Sequence, residues 1–232
     1  MFCITHSRKK SSLSLTVSTF LVAAIASSFA ITSAYAHPND PLSLDEIDKV
    51  VSLTQEKVVA RSAASTSTTH LTSSKEVLLV ERHQQKNAPK DQRYADIFTY
   101  DYATNELIES VVDLKTSAVI SSKRTQGVQL PLTENELERA KQIVFEDDDE
   151  RQILENEYHR ITSRPLTDTS ELNIKAFTFT ADSLPNRVNE ASKLCGIHRC
   201  AQLMLYTGEN IVFEITPIVN LSKGVVTQRI GF

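Results

Sequence analysis

The chain has 232 residues, 41% of them apolar and 23% charged, with Gly 5, Pro 7 and Trp 0. These fractions exclude a globally disordered, collagen-like or Gly-rich chain and leave one or two folded domains. The formal charge of −4 gives no electrostatic reason to expect nucleic acid as a partner.

Arg8, Lys9 and Lys10 open a segment that runs on as a Ser/Thr/Ala/Val-rich apolar stretch from Leu13 to Thr32 and ends in Ala34-Tyr35-Ala36. A basic start, an apolar middle and an A-x-A site are the layout of a secretory signal peptide, cut between Ala36 and His37. The alternative is a membrane anchor. Against it stand the many Ser and Thr of the run and the small residues at its end. Removing 1–36 takes away three basic residues and no acidic ones, so the charge moves from −4 to −7. No later segment reaches the apolar length that spans a bilayer. The expectation is an exported product, periplasmic or secreted, with no membrane attachment after cleavage.

The remaining chain shows two passes of one pattern. Pro41-Leu42-Ser43-Leu44-Asp45-Glu46-Ile47 opens the first and Pro131-Leu132-Thr133-Glu134-Asn135-Glu136-Leu137 the second. Ser43 and Thr133 can cap a helix, and Glu46 and Glu136 stand three residues on, completing capping boxes. Ile47, Val50, Val51 and Val58, and then Leu137, Ala140, Ile143 and Val144, recur near helical spacing. Strands follow each helix: Val77–Arg82, Ala95–Tyr102 and Leu107–Lys123 in the first pass. In the second they are Leu172–Ala181, Ala201–Tyr206, Ile211–Val219 and Val225–Ile230. Val112-Asp113-Leu114 and Val219-Asn220-Leu221 close the passes alike, as strand, polar turn, strand. A second helical stretch is predicted at Arg151–His159. The acidic run Glu146-Asp147-Asp148-Asp149-Glu150 before it reads as a solvated helix start, where acids suit the positive end of the macrodipole. It lacks the twelve-residue ligand alternation of a calcium loop. Ser62–Ser74 has no period and reads as a loop. The pattern is a duplicated helix-then-sheet module, an α+β layer fold. It divides the chain into a signal segment 1–36 and modules 37–128 and 129–232.

Cys3 leaves with the signal segment. Cys195 and Cys200 remain, in Cys195-Gly196-Ile197-His198-Arg199-Cys200. In an oxidising compartment such a pair most simply forms a disulfide closing a small loop. A zinc site needs more ligands than His198 adds. A redox-active pair normally has two intervening residues rather than four.

His37-Pro38-Asn39-Asp40-Pro41-Leu42-Ser43, followed by Glu46-Ile47, resembles the opening of the copper amine oxidases, at the first of their cystatin-like N-terminal domains. Val111-Val112-Asp113-Leu114 is the next match. Gly127-Val128-Gln129-Leu130-Pro131-Leu132-Thr133 then resembles the family's link between its first and second N-terminal domains. Pro217-Ile218-Val219-Asn220-Leu221 resembles the strand pair closing the second. The resemblance implies a tandem of two cystatin-like modules, each a helix packed on an antiparallel sheet. It does not reach the family's catalytic β-sandwich. The copper ligands and the tyrosine that becomes topaquinone belong to that sandwich. None of Tyr94, Tyr100, Tyr102, Tyr158 and Tyr206 stands in an Asn-Tyr-Asp/Glu context, and no two of His37, His70, His83, His159 and His198 form a His-x-His pair. No catalytic or cofactor-binding residue is carried across.

His37, as a new N-terminus, is the one copper candidate, since an amine and an imidazole nitrogen suit copper. The motif stands without the aromatic surface that such a site on polysaccharide would need. No G-x-S-x-G, H-E-x-x-H or phosphate loop is present. Arg82, Lys86, Lys90 and Arg93, with Lys123 and Arg124, read as a solvated edge, and His83 and His159 as surface residues. Phe177, Phe179, Leu203, Leu205 and Phe213 read as sheet core. Asn220-Leu221-Ser222 reads as a turn rather than a glycosylation site.

Two expectations of different class follow. One is a non-catalytic exported protein, a separate small or accessory subunit of an amine (tyramine-type) oxidase, whose copper and topaquinone reside on a catalytic partner chain. The other is a stand-alone periplasmic module that binds a protein or peptide and has no link to amine oxidation.

Overall fold

The computed structural model describes residues 40–62, 74–84, 92–184 and 187–231, with 55–62 described by backbone alone. The segment 1–36 expected to be a signal peptide, His37, His70, Lys86, Lys90, the side chain of Val58 and nearly all of the loop expected at Ser62–Ser74 lie outside the described residues.

Helix α1 (Leu44–Ser62) comes first, then strands β1 (Lys75–Arg82), β2 (Tyr94–Asp101), β3 (Glu106–Asp113) and β4 (Ala118–Thr125). They form an antiparallel meander in the order β1-β2-β3-β4. The second pass has α2 (Glu134–Glu146), α3 (Asp148–Thr162) and strands β5 (Leu172–Thr178), β6 (Cys200–Thr207), β7 (Ile215–Asn220) and β8 (Val225–Gly231). These strands form a second meander, β5-β6-β7-β8. The fold is α+β in two tandem modules. Among the described residues no helix is long and apolar enough to cross a membrane.

Each helix begins at its expected box. Ser43 N–H donates to Glu46 Oε2 (2.8 Å), and Glu46 N–H returns to Ser43 Oγ (3.3 Å). Thr133 and Glu136 repeat the exchange at 2.9 and 3.1 Å. In the first module Val50 packs on Ala95, Ile97, Val112 and Leu114. In the second, Ala140, Ile143, Val144, Leu154 and Tyr158 pack on Leu172, Ala201, Leu203, Leu205 and Phe213. Both cores come from the same rule: alternate strand residues face the helix layer.

The repetition extends to irregularities. The β3–β4 ladder slips between Val111 and Val112, and the β7–β8 ladder between Ile218 and Val219. Each bulge sits one residue or so before the turn it feeds. Each of those turns has a left-handed residue at the same place, Ser117 at φ 56° and Gly224 at φ 67°. Leu114 N–H donates to Arg93 O at 3.1 Å, and Leu221 N–H to Arg199 O at 2.9 Å.

Several sequence expectations are corrected. The strand expected over Ile211–Val219 begins only at Ile215. Phe213 is drawn into the core, and Glu214 N–H turns to the Glu157 carboxylate (2.5 Å) instead of the ladder. The strand expected to reach Ala181 stops at Thr178 because the chain turns to hand Ala181 N–H to Cys195 O (2.9 Å). The stretch from Leu107 to Lys123 is, as read, two strands around a polar turn, β3 and β4. Phe177 is not core: it is 56% exposed, since β5 alternation gives the helix face to Leu172, Ile174 and Ala176. The acidic run does start α3, with Asp147 accepting from Asp149 and Glu150 N–H (3.1 Å each). Glu150 is nonetheless buried, taking Arg229 Nε at 2.6 Å. His83 is half-buried and pairs with Asp96 through Nδ1 at 2.8 Å, whereas His159 is exposed.

Candidate functional site: the junction between the modules

Arg93 and Arg199 each stand one residue before the second strand of their sheet. From there a guanidinium reaches back to the start of the module's first helix. Arg93 donates to Glu46 through Nε (2.7 Å) and a terminal nitrogen (3.0 Å), and to the carbonyls of Asp40 (2.8 Å) and Pro41 (2.6 Å). Arg199 donates to Glu136 at 2.7 and 2.8 Å, and to the carbonyls of Leu130 (2.5 Å) and Pro131 (2.8 Å). A planar fork matches a carboxylate edge and still has donors for two carbonyls, which an ammonium could not arrange. Arg93 is therefore a helix anchor rather than part of a solvated edge. Arg124, on edge strand β4, pairs with Glu106 at 2.8 Å and Asp101 at 3.4 Å and stays exposed, as a solvated edge would have it.

The two clamps differ in depth. The side chains of Arg93 and Glu46 are 10% and 21% exposed, whereas those of Arg199 and Glu136 are 0% exposed. The first module's sheet covers the second clamp. Tyr100 and Tyr102 lie on the β2 face away from α1 and meet edge to face at 4.9 Å. The Arg199 guanidinium lies 5.9 Å from the Tyr100 ring. Tyr102 O–H donates to Glu136 Oε1 (2.6 Å), and Arg139 donates to Tyr102 Oη (2.5 Å). Arg139 also donates to Glu76 Oε2 (3.1 Å), and Thr133 O–H to Glu76 Oε1 (2.5 Å). Glu76, on β1, thus ties the first sheet to the cap of α2.

The charges agree with this geometry. Burial pushes the Glu136 carboxyl up, but the Arg199 fork, Tyr102 and the Thr133 N–H outweigh it and hold Glu136 below its ordinary value. Burial, with Glu136 alongside, raises the Tyr102 phenol far above its ordinary range. Burial also raises Tyr100. Tyr102 therefore stays a neutral donor. The junction holds an ionised acid, cations and phenols bonded to one another across the two modules, with Arg139 Nε the one buried atom of the group left without a partner. Such an arrangement joins surfaces.

Cys195 and Cys200 form the expected disulfide. Its loop enters the same junction: Tyr100 O–H donates to Ile197 O (3.1 Å) and Gln129 Nε2 to Gly196 O (2.8 Å). His198 pairs with Asn220 at 3.1 Å, and burial lowers its pKa, with Lys223 adding to the effect. Asn220 begins a turn as expected, accepting Lys223 N–H at 3.1 Å.

Beside the junction an open groove of about 600 Å³ is lined by Lys75, Glu76, Arg139, Lys141, Phe145 and Thr169 among others. Among the described residues no group of three His, Cys, Asp or Glu side chains could hold a metal ion. The copper candidate His37 and the cleavage site expected at Ala36–His37 lie outside the described residues. Sequence reasoning missed Glu76, Tyr102, Arg139 and Arg199. The available signal was that Arg93 and Arg199 each precede the second strand of a repeated module.

No protein-family model and no curated protein matches the chain. Among solved structures, a copper-containing benzylamine oxidase from Hansenula polymorpha matches with a TM-score of 0.53 at 11% identity. The match covers 85% of this chain and 30% of that one. It is a likeness of fold: the chain, spanning less than a third of the oxidase's length, shares a two-module α+β architecture with it.

Proposed function

We propose that residues 37–232 act as an exported, non-catalytic accessory chain, corresponding to the N-terminal modules of a copper amine oxidase and docking on a separate catalytic chain. The observation that carries this reading is a likeness of fold to a copper-containing benzylamine oxidase over 85% of this chain. The closed junction supports it, since its polar groups bind one another rather than presenting a reactive centre. Copper and quinone belong, on this reading, to the partner.

The test is affinity recovery of the tagged chain from the exported fraction. Copper content, quinone redox-cycling and amine-dependent peroxide release would be measured on the recovered material. The expected result is an inactive isolated chain and an active equimolar complex containing a copper- and quinone-bearing chain. Amine oxidation by the isolated chain would overturn the proposal. So would equimolar recovery of a partner without copper or quinone, such as a protease, which would favour the stand-alone binding module.

A further inference from the structure

We propose that the Cys195–Cys200 disulfide is an oxidation-dependent clasp that sets how the two modules sit against each other. The proposal holds whether or not the partner is an oxidase. The six-residue stretch Cys195–Cys200 carries three junction features in succession. Gly196 O accepts from linker residue Gln129, Ile197 O accepts from Tyr100 of the first sheet, and Arg199 grips the linker carbonyls of Leu130 and Pro131. Gly196 itself sits at φ 108°, a backbone turn that favours glycine. Closing the ring holds these acceptors in place before the first module meets them, so the junction forms without ordering a free loop.

Closure balances by thiol–disulfide exchange with a protein disulfide as oxidant. One cysteine thiolate attacks it to give a mixed disulfide. The other thiolate then attacks the mixed disulfide and displaces the oxidant, whose two sulfurs take up the two protons the cysteines gave up and leave as a dithiol. Cys195 and Cys200 are buried. A reductant therefore reaches them only when the loop lifts, so loosening the junction and reducing the disulfide favour each other.

The test is hydrogen exchange on the mature protein, comparing wild type, Cys195→Ser/Cys200→Ser and Tyr100→Phe/Gln129→Ala. In the cysteine variant, peptides spanning 126–133 and 94–107 should exchange about thirtyfold faster, the chain-entropy value of so short a ring. Peptides within 140–158 should accelerate by a clearly smaller factor, sharing only the global loss of stability. The Tyr100→Phe/Gln129→Ala variant retains the disulfide and should speed exchange at 126–133 and also accelerate reduction by a dithiol. Uniform acceleration through 140–158 would show that the disulfide serves only the core of the second module and would overturn the proposal. So would unchanged exchange at 126–133 in either variant. If the cysteine variant does not fold, the tyrosine–glutamine variant decides by its exchange and reduction rates.

Discussion

Arg199 and Arg93 make the same fork at different depths, and depth sets their cost when removed. Arg199→Met strands a buried Glu136 carboxylate and should cost about 3–5 kcal/mol in chemical denaturation. Arg93→Met removes a partly exposed counterpart and should cost about 1–3 kcal/mol. Equal losses would mean that the first module does not dehydrate the second clamp. Two glutamates predict opposite pH behaviour. Glu136 has a folded pKa below its ordinary 4.5, so its stabilisation is present above 4.5 and lost as pH falls through the lower folded value. Glu136→Gln should therefore flatten the acid limb of a stability–pH curve. Glu150 is raised above 4.5 by burial, and its Oε2 lacks a partner. Its contribution falls as pH rises from 4.5 through the folded value. Glu150→Gln should raise the midpoint of thermal unfolding at neutral pH and change it little below pH 4.5. The capping glutamates were legible from a spacing of three residues; their arginines were not, because each comes from a distant strand.

At the scale of elements, the two turns ending at Ser117 and Gly224 repeat one geometry with different residues. The left-handed conformation costs an L-residue about 1 kcal/mol, which glycine escapes. Ser117→Gly should stabilise by about 0.5–1 kcal/mol, and Gly224→Ser should destabilise by a similar amount, both read as shifts in denaturation midpoint. A stabilising Gly224→Ser would sink the equivalence of the turns. Thr133→Ala should likewise cost about 1–2 kcal/mol, more than Ser43→Ala, because Thr133 both caps α2 and donates to Glu76. Helix starts and most strands were legible because capping and alternation are local. Phe213 lies in the core as read but outside the strand expected over Ile211–Val219, whereas Phe177 faces solvent rather than the core. A long-range partner decides the first, since Glu157 takes the N–H after Phe213; the phase of β5 decides the second, giving the helix face to Leu172, Ile174 and Ala176.

For the whole molecule, the buried junction predicts that the modules unfold together. Calorimetry of residues 37–232 should show one transition. Tyr102→Phe, which leaves Glu136 and Arg139 each one bond short, should cost about 1–3 kcal/mol and broaden or divide it. Two separate transitions in the wild type would mean that the junction does not couple the modules. The sequence by itself determined the α+β class, the two-pass order, the capping boxes and the cysteine pair, since each rests on residues close together in the chain. Only the tertiary structure decided that Arg199 is fully buried, that Tyr102 and Glu76 complete its surroundings, and that the disulfide loop stands between the modules. Those roles depend on which surface loses water, and that is settled only when one module covers the other.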